Sequence, residues 1–170
     1  MDEPAAWLSQ ARADRLAAER FVTDDDGTAP CHAIAKWQQT VEKAVKAVVS
    51  ALQGAGISRV GISAKHEVAP YIKILIRLPR DEDNKSNQKR LYGILDQKTQ
   101  AGIIALDSLV PRLPPRRNTE YPFQDAHGKW SFPAAKDVFS PAGVQQFRAL
   151  AHRVLVGAEE IVYAIRRRPK

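Results

Sequence analysis

Residues 30–54, PCHAIAKWQQTVEKAVKAVVSALQG, decide the fold of this chain. Ile34, Trp37, Val41, Val45, Val48 and Leu52 recur at steps of three and four, so on a helix turning about 100° per residue they stack into one apolar stripe. That stripe must be buried. Pro30 suits a first helical turn, Glu42 precedes Lys46 by four residues in the favourable order, and Gly54 followed by Gly56 marks the exit. Gln38 interrupts the pattern, projecting within about 60° of the stripe's centre where an aliphatic side chain is expected. A buried amide needs partners at both ends. Gln38 therefore either sits at the rim or bonds a neighbouring backbone, or else faces a second copy of itself or a shared polar pocket.

Outward from this segment, Asp2, Glu3 and Pro4 open a predicted helix over 4–22, whose apolar stripe is Trp7, Ala11, Ala18 and Phe21. Asp14 falls inside that stripe. An unpaired buried carboxylate is expensive, so Asp14 is expected to meet an Arg, Lys or amide on a neighbouring helix. Residues 23–29, TDDDGTA, read as a polar turn. Further on, Ile72, Ile74, Ile76 and Leu78 alternate as in a strand. A lone strand in a helical chain has no ladder partner, so a helix is expected over 67–78. A charged linker at 79–87 leads to a helical pattern over 89–109 through Leu91, Ile94, Leu95, Ile104, Ala105 and Leu109, weakened by Gly93 and Gly102.

Residues 110–140 differ in kind, because Pro111, Pro114, Pro115, Pro122 and Pro133 exclude a long helix. Ser140 then supplies a cap and Pro141 a first position for a helix running to about 166. Its wide apolar face comprises Val144, Phe147, Leu150, Ala151, Val154, Leu155, Ala158, Ile161, Val162 and Ile165. The pattern implies an all-α fold of four to five helices, with 1–170 as a single domain carrying a basic, aromatic, proline-rich loop.

At 170 residues, 44% hydrophobic and 26% charged, the chain is long enough to build a core without disulfides. Its one cysteine, Cys31, suits a reducing compartment, and no run is long enough to span a bilayer. A cytoplasmic protein is expected. Residues 1–56 carry eight acids and six bases, a net −2, whereas 57–170 carry twenty bases and eleven acids, a net +9. Such a bias attracts anions, and nucleotide or nucleic acid is the natural class.

Two constellations bear chemistry. Along one margin of the last helix lie Arg148, His152, Glu159 and Arg166, with Gln145 beside them; these either hold a phosphate and move a proton, or bond one another and seal the bundle's edge. In the 110–140 loop, Arg112, Arg116, Arg117, Lys129 and Lys136 alternate with Tyr121, Phe123, Trp130, Phe132 and Phe139. They either grip a single strand by phosphate contact and stacking, or fold back over the core. The four histidines are scattered, no Cys pair accompanies Cys31, and neither a P-loop nor a dinucleotide turn is present, so no metal or cofactor is expected.

The pattern Gln38, Glu42, Lys43, Lys46 and Ala47 (Gln-x-x-x-Glu-Lys-x-x-Lys-Ala) resembles the central helix of HEPN domains, the higher-eukaryote and prokaryote nucleotide-binding family. Asp14 is similar to a residue of the first HEPN helix, His66 to the end of a loop before the third, and RRNTEYP to a segment before the last. The resemblance implies an up-and-down bundle that dimerises through a polar groove between its two longest helices. It further implies a nucleotide or RNA ligand, met by Lys43, Lys46, Arg116, Arg117 and Tyr121 together with Arg148 and His152. Asp14, Gln38 and Glu159 are expected to be structural polar residues. HEPN ribonucleases, several of them toxins, use an Arg and a His separated by four to six residues. Here three residues separate Arg148 from His152 and nine separate Arg117 from His127; Arg59 and His66 have six between them but precede the third helix. The motif is thus absent or degenerate. Two alternatives follow: a toxin-type, metal-independent ribonuclease using a variant Arg148 and His152 pair, or a structural partner of a nucleotidyltransferase or other effector.

Overall fold

The computed structural model describes residues 2–23, 30–59, 61–62, 66, 68–76, 96–109, 119, 123–124, 127–131 and 138–167. Among them are five helices: α1 (Glu3–Thr23), α2 (Pro30–Gly54), α3 (Ala69–Ile76), α4 (Gln97–Asp107) and α5 (Pro141–Arg166). A short antiparallel ribbon, β1 (Phe123–Gln124) and β2 (Trp130–Ser131), lies between α4 and α5 in the chain. The protein is an all-α bundle.

Helix directions follow from which side chains meet. Asp2, Arg12 and Glu19 of α1 and its approach pair with Arg166, Glu159 and Arg148 of α5, so numbers rise along one helix as they fall along the other. Trp7 and Asp14 meet Lys46 and Lys43 of α2 in the same inverse order. On α4, Thr99 meets Arg153 and Gly102 faces Leu150. The helices α1, α2, α4 and α5 therefore alternate up and down, and α3 is a two-turn insertion between the second and third of them.

Helix α2 is the centre of the bundle, packed chiefly on α1 and α5. All six residues of its stripe are buried, and burial continues round the helix through Ala44, Ala47, Val49 and Ala51. Each fully buried large aliphatic or aromatic side chain contributes about 1.5–3 kcal/mol, which explains why this segment dominates the core. The buried face of α5 comprises Val144, Ala151, Val154, Leu155, Ala158, Ile161, Val162 and Ile165, with Phe147 and Leu150 half-buried at its edge. Ser140 caps α5, its hydroxyl accepting from Gly143 N at 3.2 Å. At the end of α2, Gly56 takes a φ of 71°, and the amides of Ile57 and Ser58 return to the Leu52 carbonyl.

Three expectations are refined. The helix expected over 67–78 is described as α3 over Ala69–Ile76, with Tyr71, Ile72 and Leu75 buried at helical spacing despite the alternating isoleucines; residues 67, 77 and 78 lie outside the described residues. Its first turn is satisfied from a distance, since the Val68 amide donates to buried Asp107 Oδ1 at 2.8 Å. The helix expected over 89–109 is described over Gln97–Asp107, capped by Asp96, whose carboxylate accepts from Thr99 N at 2.7 Å; residues 89–95 lie outside the described residues. The face of α4 also differs from expectation. Ile104 and Ala105 point outward while Thr99, Ile103 and Leu106 are buried. Apolar residues occupy both sides of this helix, so periodicity could not choose between them; packing on α5 did, where Gly102 lets Leu150 approach to within 3.1 Å of where a Cβ would stand.

Candidate functional site

Between α1 and α2 the polar residues of the motif turn inward. Asp14 is buried and accepts from Lys43 Nζ at 2.6 Å, Lys36 Nζ at 3.3 Å and the Gln10 amide at 3.5 Å. Buried Glu42 accepts from Lys46 Nζ at 2.6 Å, and His66 Nδ1 lies 3.2 Å from its other oxygen. The Lys46 ammonium also sits 5.1 Å from the centre of the Trp7 ring. Lys43 and Lys46, expected at a ligand, pair with carboxylates, Lys43 with Asp14 across α1 and α2 and Lys46 with Glu42 one turn away on α2. The geometry accounts for the motif's spacing: Glu42 and Lys46 stack one turn apart, and Lys43 points to the side where α1 brings Asp14. Gln38 is half-buried on α2, and its amide forms no hydrogen bond among the described residues.

The margin of α5 faces α1. Arg148 grips Glu19 with both Nε (3.1 Å to Oε1) and Nη2 (2.6 Å to Oε2); Glu159 accepts from Arg12 Nε at 2.7 Å; Arg166 reaches Asp2. The α5 residues do not bond one another, as one expectation had it, but staple the two helices together. At the Arg148–Glu19 staple the surface opens into a groove of about 370 Å³ lined by Arg15, Glu19, Gln145, Arg148, Ala149 and His152. Arg148 and His152, one helical turn apart, thus share a wall. Opposite them is Arg15, half-buried and without an ion pair among the described residues. His152 is exposed and equally unbonded. The groove combines two guanidiniums, one carboxylate that neutralises one of them, an imidazole and an amide. That set suits an anion.

Arg15 escaped the sequence reading, as did Arg12 and Glu19. Their spacing of three and four residues places them on one polar face of α1, but nothing local says that this face meets α5. Arg116, Arg117 and Tyr121 lie outside the described residues. No group of three or more His, Cys, Asp or Glu residues able to hold a metal occurs among the described residues. Nor is any described helix long and apolar enough to cross a membrane. Comparisons with protein-family models, curated proteins and solved structures give no match to this chain.

Proposed function

We propose that this chain is a HEPN-like helical module that binds a nucleotide or RNA as a homodimer, with Arg15, Arg148 and His152 meeting phosphate. One observation carries the reading: Arg148 and His152 open into the same groove, where Arg15 adds a cation that no described carboxylate neutralises. The basic balance of residues 57–170 supports an anionic ligand. Homodimerisation is supported by Leu16, next to Arg15 in sequence, and Val156, one helical turn after His152, which are exposed on α1 and α5 and give a second copy apolar surface to cover. Catalysis is not part of the proposal, because the Arg and His spacing of HEPN ribonucleases is absent here: three residues, not four to six, separate Arg148 from His152.

The test is binding of a labelled single-stranded RNA at several salt concentrations, with cleavage followed on the same samples. Binding that weakens as salt rises, and weakens about tenfold in Arg15→Ala or Arg148→Ala, is expected, with the RNA intact. Cleavage lost in His152→Ala would favour the ribonuclease alternative. Absence of both binding and cleavage would overturn the proposal and leave the role of structural partner to a nucleotidyltransferase or other effector.

A further inference from the structure

Trp130 is 60% exposed, the most exposed large hydrophobic side chain among the described residues. It stands on β2 directly opposite Gln124 of β1, and directly paired residues of an antiparallel ribbon share a face. Gln124 is exposed too, so the ribbon presents an indole plate beside an amide that can both donate and accept. The turn that joins the strands carries exposed His127, Gly128 at a φ of 77° and exposed Lys129, which sets a cation next to the indole in the chain.

We propose that the Gln124 and Trp130 face of this ribbon is a second subsite for single-stranded RNA, where an unpaired base stacks on the indole and hydrogen-bonds the amide while Lys129 lies near its phosphate. This inference rests on the nucleic-acid reading above and adds to it a contact made by residues that do not line the groove. Three features select a single strand over other occupants. A base offers a π face of the size of an indole, its edge matches the two-way hydrogen bonding of an amide, and its backbone is drawn by the net +9 of residues 57–170. A duplex offers no free base face to the plate.

Tryptophan fluorescence gives a direct readout, because Trp37 is fully buried and Trp7 half-buried, leaving Trp130 as the indole a base can reach. The experiment titrates the full chain and its Trp130→Ala, Trp130→Leu, Trp130→Tyr and Arg148→Ala variants with a twelve-nucleotide single-stranded RNA and with the corresponding duplex, following emission and binding together. Quenching by the single strand in the wild type is expected, absent in Trp130→Leu. Affinity should fall about tenfold in Trp130→Ala and Trp130→Leu, with Trp130→Tyr recovering most of it, since a stacked base is worth roughly that factor. Arg148→Ala should bind more weakly yet retain its quenching. RNA binding that depends on Arg148 but is unchanged in Trp130→Ala and Trp130→Leu overturns the subsite and spares the groove. Equal loss in all three Trp130 variants, with helical circular dichroism retained, overturns stacking as the contact. No RNA binding by the wild type overturns both, and duplex bound as tightly as single strand overturns the choice of ligand.

Discussion

Asp14 Oδ2 on α1 and Lys43 Nζ on α2 meet at 2.6 Å within the interface of the two helices. The other oxygen of Asp14 holds Lys36 and Gln10. Asp14→Ala therefore takes the carboxylate from two ammonium groups at once, of which Lys36 keeps a hydrogen bond to Gln39 Oε1 at 2.9 Å. Breaking a buried pair on one side costs about 3–5 kcal/mol, and the partial exposure of both lysines lowers the expectation here to about 2–3 kcal/mol. Lys36→Ala, which leaves Lys43 in place, should cost under about 1 kcal/mol. Urea denaturation followed by circular dichroism checks both, and equal midpoints for wild type and Asp14→Ala would show that the network does not hold α1 to α2.

Glu42 and Lys46 are each about 95% buried and paired at 2.6 Å. Glu42→Ala should lose about 3–5 kcal/mol by leaving the ammonium without its carboxylate. Replacing both, as Glu42→Leu with Lys46→Met, removes two desolvated charges together and should recover most of that loss. A double mutant as unstable as Glu42→Ala alone would mean that the cost lies in shape rather than in charge.

Burial pushes the Cys31 thiol above its ordinary pKa, its hydrogen bonds to local backbone opposing only in part. The thiolate is thus disfavoured in the folded state. A group whose folded pKa is raised stabilises the fold fully below its unfolded pKa, and that contribution is lost as pH rises through the folded value. The native protein should resist thiol-specific labelling at pH 8 and react only as it unfolds, and stability should decline on the alkaline side of the ordinary thiol range. Rapid stoichiometric labelling of the folded protein at pH 8 would contradict this.

Leu16 on α1 follows Arg15, Val156 on α5 stands one turn after His152, and both are exposed. Under the dimer proposed here, Leu16→Arg and Val156→Arg place a charge against apolar surface of the second copy and should yield a monomer by sedimentation equilibrium, with helical content unchanged. Because neither residue is buried, a loss of folding is not expected. A wild type that sediments as a monomer at tens of micromolar would remove the dimer.

The helical character of the chain was legible because it rests on local physics. The stripe from Ile34 to Leu52, the Ser140 and Pro141 start and the wide apolar face of α5 are periodicities and caps that any packing arrangement must respect. The site was half legible. Arg148, His152, Glu159 and Arg166 were recognisable as one margin, since spacing along a helix fixes angular position, but their partners Glu19, Arg12 and Asp2 lie well over a hundred residues away in sequence. Lys43 shows the reverse: its position on α2 was plain, but whether it faced a ligand or a carboxylate depended on where α1 brought Asp14.

By itself, then, the order of residues determined that α1, α2 and α5 are helical and which face of each is apolar, since both follow from backbone geometry and side-chain period within a few turns. Only the packed bundle decided that Lys43 pairs with Asp14, that Ile103 rather than Ile104 enters the core, and that Arg15 joins Arg148 and His152 at one groove. The physical reason is that a charge or an apolar side chain takes its role from the dielectric and the partners around it, and those are set by contacts between segments far apart in the chain.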